Sequence, residues 1–185
     1  MKFEEIEKLV RQSLSDLREH DLILLKHDVC ERSITHRLAI YVERRISELD
    51  DIETCRLDVD CEYNRNVVGR LGAPKSLILE AEDEHEKANK FGCQSEEVLE
   101  VSSYPDIIVH RRGDNDHNLL VIEVKKKSSR IGDSHDIKKI KAFTKKDELN
   151  EYGYSYGVFV KLDTGRRVSN QQVCDWYIEG QQQRS

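Results

Sequence analysis

Tyr104-Pro-Asp-Ile-Ile-Val-His110 and, after a polar interval, Leu119-Leu-Val-Ile-Glu-Val-Lys125 decide the reading of this chain. Both runs are rich in β-branched apolar residues, and they flank Gly113-Asp-Asn-Asp116. They are therefore expected to fold back on each other as a hairpin. A turn centred between Asp114 and Asn115 pairs residue 106 with 123, 107 with 122 and 110 with 119. Successive side chains on a strand point to opposite faces. Asp106 and Glu123 then fall opposite each other on one face, and Lys125, two residues on, faces the same way. A slip of one residue would break this geometry.

Three ionisable groups converging beside an apolar sheet have a chemical use. Two neighbouring carboxylates repel, so one tends to keep its proton. A divalent cation removes the conflict, and hard oxygen ligands suit Mg²⁺ or Mn²⁺. A lysine beside the ion orients water or offsets charge developing on a phosphate. The plainer alternative is a hairpin with a surface Asp and a Glu–Lys pair at its ends.

Pro105-Asp106 followed by Glu123-Val124-Lys125 resembles the signature of the PD-(D/E)xK nuclease superfamily, which includes many restriction endonucleases and archaeal-type Holliday-junction resolvases. The resemblance covers about residues 30 to 162. It implies an α/β fold with an αβββαβ core: a mixed central sheet flanked by helices, here with additional N-terminal and C-terminal helices. It also implies Mg²⁺- or Mn²⁺-dependent hydrolysis of phosphodiester bonds, in DNA, by an endo- or exodeoxyribonuclease. Asp106, Glu123, Glu31 and Val124 would hold the metal, with Lys125 near the attacking water. Some relatives carry a Gln and a Tyr four apart on the second core helix. Here that helix has no Gln, which speaks against the exonuclease-like subgroup.

Glu31 enters through the preceding helix. Residues Cys30 to Leu49 place Ile34, Leu38, Tyr41, Val42, Ile46 and Leu49 on one stripe at helical spacing. Glu31 lies in line with Leu49, and a glutamate aimed at a sheet is costly unless paired or bound to metal. The competing reading keeps Glu31 in water at the helix start, favoured by the helix dipole. Arg45 also projects into the stripe.

The net charge of −6 argues against a nucleic-acid partner until its distribution is read. Residues 1–110 carry 15 basic and 25 acidic side chains, whereas residues 111–146 carry 11 and 5. The basic block surrounds the carboxylates. Arg111, Arg112, Lys126, Lys127, Lys138, Lys139 and Lys141 are its candidate phosphate contacts, with Lys138, Lys139 and Lys141 expected to face water. A solvated helix face is the ordinary fate of such a run. A non-catalytic nucleic-acid-binding or protein-interaction module on the same fold is the second function class, since fold alone does not give activity.

The remaining features set bounds. One domain over 1–185 is expected at this length. There is no membrane-length apolar run and no secretory signal pattern, and five cysteines lack CxxC spacing. A reduced cytoplasm without zinc fits these features. Residues 2–19 read as an amphipathic helix, packing on the helix at 30–49 or forming a contact between two copies, which would make a homodimer. Cys55 to Tyr63 alternates Leu57, Val59, Cys61 and Tyr63 with Asp58, Asp60 and Glu62, a strand with one acidic face. That acidic row is either a solvated face or a source of one more ligand. Lys75 to Leu79 reads as a short strand, and Glu80 to Lys90, with His85 among acidic residues, as a charged excursion. Ser134 to Asn150 reads as the second core helix and Ser155 to Leu162 as a buried strand. About Ser169 to Glu179, with Trp176, reads as a closing helix, and 181–185 as a frayed end. Trp176 either plugs the core or stacks on a base.

Overall fold

The computed structural model describes residues 1–49, 56–63, 65–66, 73–74, 76–80, 98–102, 104–147, 152–166, 168 and 172–183. The expected charged excursion at 80–90 lies outside these residues beyond Glu80.

Apolar spacing builds the first layer. α1 (Phe3–His20) buries Ile6, Leu9, Val10, Leu14 and Leu17 along one side. After a short α2 (Leu22–Lys26), α3 (Glu31–Ser47) buries Ile34, Leu38, Tyr41, Val42 and Ile46. The two long helices pack on each other, pinned where Arg45 grips the Asp16 carboxylate with two hydrogen bonds of 2.9 and 2.8 Å. This explains how an arginine sits in the α3 stripe: its charge is paired at the seam between helices.

The strands are β1 (Asp58–Cys61), β2 (Arg65–Asn66), β3 (Ala73–Pro74), β4 (Ser76–Glu80), β5 (Val98–Ser102), β6 (Ile107–His110) and β7 (Leu120–Lys126). α4 (Ser134–Thr144) follows, then β8 (Tyr156–Leu162), β9 (Val173–Ile178) and β10 (Gln181–Gln183). Six of the strands form a mixed sheet in the order β1-β6-β7-β8-β9-β10. Among the described strands only β7 and β8 pair in parallel, joined through α4, as a parallel pair requires a crossover. β2–β3 and β4–β5 form two small antiparallel pairs.

Helices cover both faces of this sheet, so β7 is buried from Leu120 to Lys125. Ile107, Val109, Leu120, Ile122, Val124, Val158 and Val160 face α1 and α3. Ile108 and Val121 face the other way, with Phe143 of α4, Tyr152, Tyr154 and Leu77 of β4. α4 lies very close to β8 at Gly157, where an added Cβ would stand 2.5 Å from Ile140 Cγ2 and 2.8 Å from Thr144 Cγ2.

The hairpin register is as the sequence predicts: Ile107 pairs with Ile122, Ile108 with Val121 and Val109 with Leu120. The turn is not. Asp114 N–H donates to the Arg111 carbonyl at 3.2 Å, closing a tight turn over Arg112-Gly113 with Gly113 at φ +86°. Residues 115–118 then form an extra excursion that restores the register. Gly113 takes the left-handed position at no steric cost, which draws the turn toward it.

Three further expectations are corrected. The closing helix is not formed: Val173–Ile178 is β9, paired antiparallel with β8, and Gln181–Gln183 turns back on it as β10 instead of fraying. Val173, Asp175 and Tyr177 alternate with Cys174, Trp176 and Ile178, so period two overrides the weak helical pattern. Trp176 is buried and meets Phe3 edge-on at 5.2 Å, which removes it from base stacking. α4 ends at Thr144 rather than Asn150, because Lys145 adopts an extended backbone. Among the described residues no helix is long and apolar enough to cross a membrane. Cys30, Cys61 and Cys174 are free thiols; Cys55 and Cys93 lie outside the described residues.

Candidate functional site

The 107–122 pairing puts Asp106 one step further along, opposite Glu123. Both side chains lie on the α4 face, with Ile108 and Val121. Asp106 Oδ2 accepts the Val124 N–H at 2.8 Å, which ties the Pro-Asp bend to β7. Glu123 is 1% exposed. Its Oε2 accepts from Lys139 Nζ of α4 at 2.7 Å, and its Oε1 is buried with no hydrogen-bond partner among the described residues. Lys125 Nζ, on the same face, donates to Asp136 Oδ2 of α4 at 2.7 Å. Asp136 Oδ1 stands 3.7 Å from Lys139 Nζ, so the aspartate links the two lysines.

Glu31 approaches from the other side of the sheet. It is half-buried in the first turn of α3, and its Oε2 accepts the Lys126 N–H at 2.9 Å. Its charge is felt by both Asp106 and Lys125. The dipole position and the approach to β7 therefore coexist in one residue.

Burial dominates the electrostatics. It pushes the Asp106 carboxyl up to about 6, against the Val124 N–H and the Lys139 charge, while Glu31 and Asp136 push further up. Burial and then the Asp106 charge raise Glu123 well above the ordinary carboxylate value, opposed by Lys139. For both lysines, burial favours loss of the proton, but their carboxylate partners outweigh it and hold the ammonium. Among the described residues, no group of three or more His, Cys, Asp or Glu side chains is gathered tightly enough to hold a metal ion in this arrangement. Asp106 Oδ2 and Glu31 Oε2 are engaged by backbone N–H groups, and Glu123 Oε2 by the Lys139 ammonium. The donor set still suits a hard cation: carboxylate oxygens, one of them orphaned in a dry pocket.

The basic block is less available than the sequence suggests. Lys139, expected in solvent, is buried against Glu123, because an interior carboxylate needs a partner. Arg112 is committed to β1: it donates to Asp60 Oδ2 at 2.8 Å and Oδ1 at 2.5 Å. That pairing assigns the acidic row a structural role at Asp60. Lys126 donates to the Val29 carbonyl at 2.9 Å and pairs with Asp28. Arg111 is half-buried beside His117. Lys138 is half-buried, while Lys127 and Lys141 are exposed.

Asp136 and Lys139 are the members of the cluster that sequence reasoning did not assign to it. A signal existed for the first. At 100° per residue Asp136 falls inside the arc drawn by Ile137, Ile140 and Phe143, where a charge should not stand unpaired. No family model matches the chain, and neither the curated proteins nor the solved structures yield a match.

Proposed function

We propose that the protein is a metal-dependent nuclease that hydrolyses phosphodiester bonds, in DNA, on a restriction-endonuclease-like version of this α/β sheet. One observation carries the reading. The buried Glu123 carboxyl and the half-buried Asp106 carboxyl stand side by side on adjacent strands, Asp106 pushed up to about 6 and Glu123 with an oxygen that has no hydrogen-bond partner among the described residues. Such a pair is expensive to keep as it stands and becomes favourable when a divalent cation joins it. The Pro105-Asp106 and Glu123-Val124-Lys125 resemblance supports the same reading.

Asp106 and Glu123 would hold Mg²⁺ or Mn²⁺, with Glu31 and Val124 at the edge of the site. The ion supplies charge neutralisation for the scissile phosphate and an activated water. The chain's own residues do the rest. The Val124 N–H fixes the rotamer of Asp106. Ile108, Val121 and Phe143 lie on the same face as the pair, and Glu123 is buried there, which strengthens the charge interactions it makes. Asp136 holds the Lys125 ammonium, available to face a phosphate oxygen or orient water.

A second reading has one observation behind it. Lys139 and Lys125 already pair Glu123 and Asp136, so the cluster also works as a salt-bridge core of a binding module without catalysis. One experiment separates the two. Plasmid, linear, branched and single-stranded DNA are incubated with pure protein in Mg²⁺, Mn²⁺ or EDTA, beside Asp106→Ala and Glu123→Ala prepared identically. Cleavage that requires metal and both carboxylates supports the nuclease. Failure of the wild type on every substrate, or equal cleavage by the variants, leaves the binding module as the better account.

A further inference from the structure

We propose that Lys139 is the built-in counter-ion of the carboxylate pair and competes directly with the divalent cation for Glu123, so that it sets how tightly the site holds metal. The proposal rests on the metal-centre reading above. Lys139 Nζ is surrounded by oxygen: Glu123 Oε2 at 2.7 Å, the Tyr104 carbonyl at 3.4 Å and Asp136 Oδ1 at 3.7 Å. A carboxylate, a carbonyl and a second carboxylate are the donors a hard cation selects. Both partners are interior, Glu123 at 1% and Lys139 at 8% exposure. A lysine on a surface helix has no reason to be interior unless a charge there needs neutralising.

The open face of Glu123 completes the argument. Oε2 is taken by Lys139 while Oε1 has no partner among the described residues. A cation reaching Oε1 then lies within a few ångströms of an ammonium on the same carboxylate, and like charges at that distance repel strongly in a dry site. Asp136 gives Lys139 a second partner that a small swing of its side chain reaches, so yielding Glu123 does not strand the lysine. Lys139 thus acts as a positioning residue: it holds the Glu123 carboxyl in place before metal arrives and raises the concentration of metal the site requires.

The test is Mn²⁺ binding to EDTA-stripped, dialysed full-length protein, followed by titration calorimetry and by the loss of free-Mn²⁺ paramagnetic resonance signal. Lys139→Met and Lys139→Gln remove the charge. The glutamine also retains a donor for Glu123 if the methionine protein fails to fold. Lys139→Arg keeps the charge. Removing the competitor should tighten Mn²⁺ binding about tenfold in the neutral variants, with arginine near wild type. A purely structural role cannot produce this gain, because loosened packing weakens metal binding. Unchanged or weaker binding in a folded neutral variant overturns the proposal while leaving the metal centre standing. Asp106→Ala supplies the separate control: if it binds Mn²⁺ as wild type does, the ion lies elsewhere and the metal-centre reading fails, and the proposal with it.

Discussion

Two acidic clusters sit on neighbouring strands of one sheet, and they are built to opposite ends. On β1, Asp60 receives two hydrogen bonds from Arg112 and lies 3.0 Å from His110 Nε2. Burial alone would raise Asp60, but these partners outweigh it and leave its carboxyl below the ordinary value. Beside β6 and on β7, Asp106 and Glu123 are raised, and one carboxylate oxygen has no partner among the described residues. The first cluster resembles a clasp, satisfied within the protein. The second is neutralised only in part, and perturbed buried carboxylates of that kind accumulate where chemistry is done. Charge density alone does not separate them; completeness of pairing does.

Substitution should break the comparison most clearly. Asp106→Ala and Glu123→Ala are expected to lower metal-dependent cleavage by about a thousandfold or more, since each removes a ligand that positions water and charge. Asp60→Asn should leave cleavage within a few-fold of wild type and lower stability by about 1–3 kcal/mol, the range for spoiling a buried charged hydrogen bond. Cleavage rates and urea unfolding of all three proteins check the pair of outcomes. Loss of activity in Asp60→Asn at full stability would erase the distinction.

The pH dependence of stability should separate the clusters by sign. Asp106 has a folded value of about 6 against an ordinary 3.8, so the folded state binds its proton more tightly. Stability of metal-free protein therefore falls as pH rises through that interval, by at most on the order of 3 kcal/mol from this residue. Glu123 adds in the same direction. Asp60 is depressed, so its contribution is present above 3.8 and is lost as pH falls through its lower folded value. Urea unfolding in EDTA from pH 3 to 8 should give a falling limb that Asp106→Asn flattens and an acid limb that Asp60→Asn flattens. Mn²⁺ should oppose the falling limb, because it binds the deprotonated pair. A limb unchanged in its own variant would refute that assignment.

What was legible in the sequence follows the same divide between local pattern and long-range pairing. The β6–β7 register, α1, α3 and β8 could be read because their apolar periodicity is long and one-sided. The shared face of Asp106, Glu123 and Lys125 followed from alternation alone. Lys139 was misread because a lysine next to Lys138 looks like a solvated run, and its orientation is set by Glu123 on a strand packed against the helix. Arg112 was misread for the same reason: its partners, Asp58 and Asp60, are more than fifty residues away. At the C-terminus, Val173–Ile178 is short enough to satisfy either period. The open edge of β8 decided in favour of a strand.

The framework offers a smaller effect. Gly157 of β8 lets α4 approach so closely that Lys139 and Asp136 reach β7, whereas no described glycine makes such an approach at the β1 clasp. Gly157→Ala must displace Ile140 or Thr144, at about 1–3 kcal/mol, the usual cost of overpacking a close-packed contact. The variant should lose metal-dependent cleavage in larger proportion than Asp60→Asn at equal destabilisation, because the displaced helix carries Asp136 and Lys139, the partners of Lys125 and Glu123. Cleavage compared at matched fractions of folded protein checks this.

The smallest effect concerns the exposed part of the basic block. Arg112, Lys126 and Lys139 hold the protein together, so reversing them would confuse folding with binding. Lys141 is exposed on α4, the helix that carries Lys139, and its reversal leaves the buried pairs intact. Each phosphate contact made by a cation releases counterions and adds nearly one unit to the slope of log affinity against log salt. Lys141→Glu should therefore weaken DNA binding by less than about tenfold near physiological salt and reduce that slope by about one. Fluorescence anisotropy with labelled duplex in Ca²⁺, across a series of salt concentrations, measures both. The looser Ca²⁺ shell is expected to support binding with little turnover. An unchanged slope would move the DNA path off α4 and toward the β1 side of the sheet. There the Asp60–Arg112 clasp would have to open to offer a cation, and the contrast between the two clusters would then have to be redrawn.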